Sequence, residues 1–356
     1  SWSHKCPTYI QRTPPCQGSC PSGEDIRGWL DIVRGIEKPT GDMSMQEYAF
    51  RRATVANPFP SMMGRVCPAP CHEGCNRHHV DDFVGINSVE QYIGDTAIEN
   101  GYGYEAGAST GKKVAIIGGG PAGMAAAYQL RRMGHDATVY EERAELGGMM
   151  RYGIPGYRIP REKLAAEINR ILDMGVEVKT NTRVGKDISA EELDKNYDAV
   201  LWALGCWTGR GLPVDGWDTA PNCVDGLSFL EAFNNGRMKV TGKNLVCIGG
   251  GDTSIDVVSV ARRIGHNAAA GLPEDIVKNN ETHDQSLADA AEPCEATLTS
   301  LFTKDKMMAA EHEITDATEE GVTILDGVMP LEVILGDDGR ATGLKVCDCT
   351  MDGMTP

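Results

Sequence analysis

The sequence predicts an α/β chain in which a helical, cysteine-rich head is followed by two parallel-sheet domains. Three observations predict it. Six of the twelve cysteines fall within the first 75 residues. An apolar stretch at 114–117 runs into Gly118-Gly119-Gly120-Pro121-Ala122-Gly123 and then a helical pattern. A second apolar stretch at 245–248 runs into Gly249-Gly250-Gly251-Asp252-Thr253-Ser254 and another helical pattern. Strand, glycine turn and helix in that order open a βαβ unit, so both later domains read as Rossmann-like dinucleotide-binding domains.

Residues 1–108 form the head. Pro14-Pro15, Cys20-Pro21 and Pro68-Ala69-Pro70 punctuate short apolar stretches such as 26–36 and 84–98, with no strong strand pattern. The Gly-, Ala- and Ser-rich stretch 101–111 reads as a linker. From Lys113 the pattern alternates: strand 114–117, helix 122–133, strand 137–140, helix 161–174, strand 176–184, and a buried strand 199–204 ending at Gly205. These place a second domain at 109–240, resumed at 331–356 and incomplete. The third, 241–330, holds strand 245–248, a helix to Ile264, a polar insertion at 268–292 and strand 296–301. The two glycine turns are the only internal repeat.

Composition narrows the class. The chain of 356 residues, 41% hydrophobic, is long enough for a large core. No apolar run approaches the roughly 20 residues that span a bilayer, and the first 25 residues lack a signal-peptide pattern, so a cytoplasmic protein without a membrane span is expected. A net charge of −17 argues against nucleic-acid and anionic-membrane binding. In a reducing compartment clustered cysteines read as metal or cluster ligands rather than disulfides. Cys206, Cys223, Cys247 and Cys294 read as small buried hydrophobes, whereas Cys347-x-Cys349, close to the end of the chain, has too few neighbours to be assigned.

In the first turn Gly118, Gly120 and Gly123 supply the bend, the close approach of backbone to pyrophosphate, and helix packing. Pro121 and Ala122 open a helix whose N-terminus faces the phosphates. Glu141, at the end of the next strand, stands where it would bind ribose hydroxyls. The second turn repeats this with Gly249 and Gly251, a small Ser254 in third place, and Asp252 and Thr253 opening the helix. Two fingerprints imply two nucleotides. Between them, the Gly- and Pro-dense stretch 146–160, with Gly147, Gly148, Met149, Arg151 and Ile154, would let backbone lie flat against a planar ring system. In the head, Cys16-x3-Cys20 and Cys67-x3-Cys71-x3-Cys75 let one turn offer several thiolates to iron. Zinc is the rival, helped by His72, His78 and His79.

With both fingerprints, the stretch 146–160 and the cysteine head, the chain resembles, over nearly its whole length, the family of the glutamate synthase small subunit and the N-terminal part of dihydropyrimidine dehydrogenase. The resemblance implies FAD at the first fingerprint and the 146–160 stretch, with Gly205 beside it. It implies NAD(P)H at the second fingerprint and two 4Fe-4S clusters in the head. Carried over position by position, one cluster takes Cys6, Cys16 and Cys75. The other takes Cys20, Cys67, Cys71 and an oxygen ligand at Gln91, with Glu90 as its competitor. The family spacing calls for a further cysteine at Ser3; His4, a residue upstream or an altered geometry would fill that place.

The chemistry so implied is hydride transfer between nicotinamide and flavin, with single electrons passing between flavin and clusters and no catalytic side chain named. Family members that prefer NADPH carry an arginine pair after the second strand of the nicotinamide domain. Leu301 and Phe302 stand there, so NAD(H) is expected over NADP(H), with Arg262, Arg263, Lys304 and Lys306 as possible substitutes. The chain ends at Pro356 before the family's second FAD-contacting segment, so a fragment is expected. The spelling of 64–71 and 296–317 is most similar to the flavin subunit associated with dissimilatory sulfite reductase, which implies a redox partner of that type and leaves a homodimer open. The alternatives are a glutamate synthase small subunit and a noncatalytic zinc- and nucleotide-binding adaptor.

Overall fold

The computed structural model describes residues 12–209, 211–270 and 273–353. Cys6, Ser3 and His4 lie outside the described residues. The head holds α1 (Pro15–Ser19), α2 (Ile26–Val33), α3 (Met45–Ala53), α4 (Pro60–Val66), α5 (Pro70–Glu73) and α6 (Ile86–Glu99). There follow β1 (Lys113–Ile117), α7 (Pro121–Arg132), β2 (Asp136–Tyr140), α8 (Met149–Tyr152), α9 (Arg161–Leu172), β3 (Glu177–Lys179), α10 (Ala190–Asn196), β4 (Ala199–Trp202) and α11 (Gly226–Asn234). The remainder comprises β5 (Asn244–Ile248), α12 (Asp252–Ile264), α13 (Pro273–Asn279), α14 (Gln285–Asp289), β6 (Glu295–Thr299), α15 (Glu311–Glu319), β7 (Thr323–Leu325), β8 (Val328–Leu335) and β9 (Ala341–Asp348). Two compact units result: residues 1–146 with 159–203, and 147–158 with 204–356.

In the first unit, α2 turns Ile26, Trp29 and Ile32 inward on one helical face, capped by Asp25, which accepts the Gly28 N–H at 3.2 Å. α4 and α6 cross closely because of glycine: a Cβ on Gly94 would stand 2.1 Å from the Ser61 nitrogen, and one on Gly64 would stand 2.4 Å from that of Gln91. The stretch expected to be a linker is a fixed strap. Tyr104 packs between Phe50 and Tyr128, with ring centroids 5.5 and 4.5 Å away, and the Gly107 N–H donates to the Arg131 carbonyl at 2.8 Å. Two aromatic anchors outweigh a flexible composition.

The sheet of this unit has the order β3-β2-β1-β4, all parallel. β1 is central, buries Ala115, Ile116 and Ile117, and ends between Tyr140 and Trp202. That is the crevice at which open α/β sheets bind ligands. The strand expected over 176–184 forms only at Glu177–Lys179, because Asn181 takes a left-handed φ of 51° and the Thr182 N–H turns back to the Glu141 carbonyl.

At the junction of α4, α6 and α9, Asp95 accepts from Arg65 at 2.7 and 2.9 Å and from the Ser61 hydroxyl at 2.5 Å, and pairs with Lys163 at 3.1 Å. Burial pushes its carboxyl up, but the bonds from Arg65, Ser61 and Lys163 outweigh that and hold it below its ordinary value. An acid depressed on folding contributes stability above its unfolded pKa and loses it as pH falls through the folded one. Asp95→Asn is therefore expected to cost about 2 kcal/mol at neutral pH. The gap from wild type should close as urea unfolding is repeated toward acid; a gap independent of pH contradicts this assignment.

In the second unit β5, β6 and β7 form a parallel sheet and β8 and β9 an antiparallel hairpin. Its core joins Phe229, Ile255, Val258, Leu298 and Ile314. The insertion at 268–292 contains α13 and α14, and its Ile276 enters that core. β6 ends at Thr299, short of the expected Leu301, because the Ser300 hydroxyl accepts the Phe302 N–H at 3.1 Å and bends the chain.

Candidate functional site

The cysteines of the head sit at helix ends. Cys16 lies in α1 and Cys20 caps it; Cys67 caps α4, Cys71 lies in α5 and Cys75 follows it. Between Cys67 and Cys71, Ala69 takes a left-handed φ of 54° flanked by two prolines, a strained turn that folds the two thiols to one side. The Asn87 amide holds the Cys67 carbonyl at 3.0 Å.

Among the described residues no three or more His, Cys, Asp and Glu side chains converge closely enough to hold a metal ion, but the thiols are electrostatic neighbours, with Cys20 beside both Cys16 and Cys71. Cys71 is raised to about 12 by burial and by the neighbouring charges of Cys67, Cys20 and Glu90, and Cys67 is raised by burial and by Glu90 and Cys20. Cys16 is raised by burial, with Cys75 and Cys20 as its charged neighbours. Cys75 is instead lowered, chiefly by the Val84 N–H, with those of Arg77 and His78 adding. All these cysteines are free. Soft donors packed so that their thiolates repel one another fit an iron core, whose positive charge is what makes their deprotonation favourable. His72, a candidate zinc ligand, is otherwise engaged: its Nε2 accepts the Ile86 N–H at 3.1 Å, and its ring stacks on Phe83 at 4.4 Å.

Of the two oxygen candidates on α6, Glu90 is buried and acts on Cys67 and Cys71. One of its oxygens accepts the Asn57 amide at 2.6 Å, and burial and the Glu24 charge push its carboxyl well up. Gln91 is half-buried, its backbone against Gly64. Glu24 and Asn57 were not legible as site residues, since nothing in their local sequence marks them.

At the first glycine turn, Gly118 has a φ of 112° and a Cβ on Gly123 would stand 1.9 Å from the Gly118 carbonyl oxygen. Gly120, Pro121 and Ala122 begin α7, and no side chain caps that helix. Glu141 is buried beside the turn, accepting the Gly119 N–H at 2.7 Å and the Arg143 N–H at 2.9 Å. An uncapped helix start behind a glycine cradle, with a carboxylate alongside, fits the pyrophosphate and ribose of a dinucleotide. Gly147, Gly148, Met149, Arg151, Ile154 and Gly205 belong to the second unit. There Arg158 pairs with Asp256 at 2.8 and 2.9 Å and with Glu313, and the Tyr157 ring lies under Arg263 at 3.6 Å.

The second turn is built the same way. Gly249 has a φ of 139°, and Ser254 fills the place of a third glycine, its Oγ 2.5 Å from where a Gly249 Cβ would be. Gly251 faces open space, with nothing within 4 Å of a Cβ built there, and α12 begins at Asp252 and Thr253 without a side-chain cap. The Asp252 carboxylate accepts the Ala310 N–H at 3.0 Å, fastening the loop after β6 over the turn.

Four cations were candidates for a 2′-phosphate. Arg262 and Arg263 sit in the last turn of α12, about 15 Å along the helix from the glycine turn at 1.5 Å per residue. Both are committed, Arg262 to the Glu320 and Cys294 carbonyls and Arg263 to the Glu320 carboxylate. Lys304 and Lys306 follow β6, and Lys304 Nζ donates to Thr318 at 3.2 Å.

Among the described residues no helix is long and apolar enough to cross a membrane. Residues 112–347 match the pyridine nucleotide-disulphide oxidoreductase family, and residues 4–102 the family described as dihydropyrimidine dehydrogenase domain II, 4Fe-4S cluster. The chain is 34% identical to the NADPH-Fe(3+) oxidoreductase subunit beta of Geobacter sulfurreducens over 94% of its own length and 45% of that protein. It is 32% identical to the glutamate synthase [NADPH] small chain of Mycobacterium tuberculosis over 95% of its length and 67% of that protein. It is 34% identical to the NADP(+)-dependent formate dehydrogenase subunit beta of Moorella thermoacetica over 71% of its length and 38% of that protein. It thus spans less than half the length of two of these relatives. With an iron–sulfur head joined to a pyridine-nucleotide fold, the chain belongs to the glutamate synthase small-chain family of FAD and iron–sulfur oxidoreductases.

Proposed function

We propose that the chain is an electron-transfer module that exchanges hydride between NAD(P)H and FAD and single electrons between FAD and two 4Fe-4S clusters, on behalf of a partner protein in the cytoplasm. The observation that carries this is the presence, in one chain, of two uncapped glycine turns and of free cysteines at neighbouring helix ends of the head. Together the bound groups supply a two-electron step and one-electron steps, with flavin able to do both. The chain's own residues bind and orient: the α7 turn with Glu141 holds one dinucleotide, the α12 turn the other, and the cysteines the clusters. No side-chain proton transfer is needed.

For the second cluster Glu90 competes with Gln91 as the oxygen ligand, and its burial on α6 supports it over the half-buried Gln91. Adjacent residues on a helix point about 100° apart, so only one of the two faces the thiols. Glu90→Ala is expected to lose one cluster, read as iron content and as one missing signal in the electron paramagnetic resonance of the reduced protein. Gln91→Ala should keep both; the opposite pattern restores Gln91.

For the nicotinamide, Leu301 and Phe302 lack the charge that would hold a 2′-phosphate, which supports NADH, although the relatives above are named for NADPH or NADP(+). Phe302→Arg should raise kcat/KM for NADPH about tenfold, about 1.4 kcal/mol. Equal efficiency of the wild type with both nucleotides contradicts the preference. The partner proposed is a sulfite-reductase-type enzyme, on the spelling of 64–71 and 296–317. The similarity to glutamate synthase small chains favours a second reading, a glutamate synthase large subunit. Copurification of the full-length protein from its native source, with a siroheme enzyme or with a glutaminase-bearing subunit, separates the two.

A further inference from the structure

We propose that Glu167, on helix α9 of the flavin-side fold, is a positioning residue for the second cluster, acting through α4 on Cys67. Phe59 starts α4 without a side-chain cap, and the carboxylate of Glu167 supplies one from more than a hundred residues away. Its Oε1 accepts the Ser61 N–H at 2.8 Å and its Oε2 the Met62 N–H at 3.1 Å, with Glu167 wholly buried. Burial pushes its carboxyl up to about 8, outweighing the two backbone N–H groups, which favour its charged form. Cys67 closes the other end of the same helix, its N–H bonded to the Met63 carbonyl at 2.9 Å.

Ser61 is held from three sides. Glu167 takes its N–H, Asp95 its hydroxyl, and Arg65 donates to its carbonyl at 2.8 Å. Lys163, one turn before Glu167 on α9, reaches the same Asp95 on α6. α9 thus fixes two of the helices that carry the second cluster's donors, α4 with Cys67 and α6 with Glu90 and Gln91, while Cys20 and Cys71 lie on α1 and α5. A helix of seven residues is stiff, so a shift at Ser61 is delivered to Cys67 rather than absorbed between them. The carboxylate is costly to bury, and neither glycine turn uses it. Its two hydrogen bonds run from the flavin-side fold to α4, and Arg170 of α9 is a charged neighbour.

This rests on the cluster assignment above, and the experiment keeps the two apart. The full-length holoprotein is compared as wild type, Glu167→Gln and Glu167→Met, by iron and flavin content, thermal unfolding, and redox-monitored electron paramagnetic resonance. Glu167→Gln keeps one acceptor oxygen but presents an amide N–H to the second backbone donor. It should retain its iron, with the signal and midpoint of one cluster displaced and those of the other unchanged. Glu167→Met should lose half its iron and keep its FAD. A wild type without iron–sulfur signals defeats the cluster assignment itself. A wild type with both signals, alongside variants whose two clusters are unaltered or lost equally together with FAD, overturns the positioning role.

Discussion

Replacing Cys71 by serine is expected to halve the iron of the protein while leaving its FAD in place. The thiol is buried, and its charged neighbours are Cys67, Cys20 and Glu90. An alcohol at that position is a hard, neutral donor that cannot replace a thiolate on iron at neutral pH. Because binding the cluster drives deprotonation of its ligands, losing one thiolate loses cluster and local stability together. Cys294→Ser, whose buried thiol belongs to the core of the other unit, should leave iron unchanged and cost only packing stability. Iron and acid-labile sulfide assays on the two variants, purified anaerobically, check this. Equal iron in both contradicts the assignment of Cys71 as a ligand.

Gly251→Val should weaken the response to NADH and NADPH at least tenfold without unfolding the protein. The backbone there, φ −105° and ψ 172°, suits any residue, and a Cβ meets nothing within 4 Å, so the fold has no use for glycine at this position. A dinucleotide does, since its pyrophosphate must approach the backbone closely. The expected loss in kcat/KM is tenfold or more, about 1.4 kcal/mol or above, with the melting temperature held. Gly123→Val is the contrasting case. Its Cβ would strike the Gly118 carbonyl oxygen at 1.9 Å, so both FAD retention and folding should suffer. If Gly251→Val binds nucleotide like wild type, the second turn is a structural bend and the two-nucleotide account fails.

What the sequence revealed was what it holds locally. Both glycine turns and the acid after β2 lie within short windows, and the structure places each on its expected turn or strand end. The bunched cysteines were legible as metal ligands, though their spacing suits iron and zinc alike, and Cys16 to Cys75 come to lie at helix ends. What it concealed was decided at long range. Glu167 looks like any helix-surface glutamate until α9 packs on α4, its partners lying 105 and 106 residues away. The strap at 101–111 has a linker's composition and is fixed by Phe50 and Tyr128, which lie outside that window. Nor does composition show that the stretch 147–158 groups with the second unit, where Arg158 meets Asp256 on α12 and Glu313 on α15. The order of burial along α6, which separates Glu90 from Gln91, likewise depends on which helix face α4 covers.

The most direct measurement is an anaerobic visible spectrum of the full-length protein, with iron and flavin quantified, before and after NADH and then NADPH. The account predicts flavin bands over a broad iron–sulfur absorption, both bleached by NADH and more weakly or slowly by NADPH. A protein with no iron–sulfur absorption, or with bound flavin that neither nucleotide reduces, contradicts it.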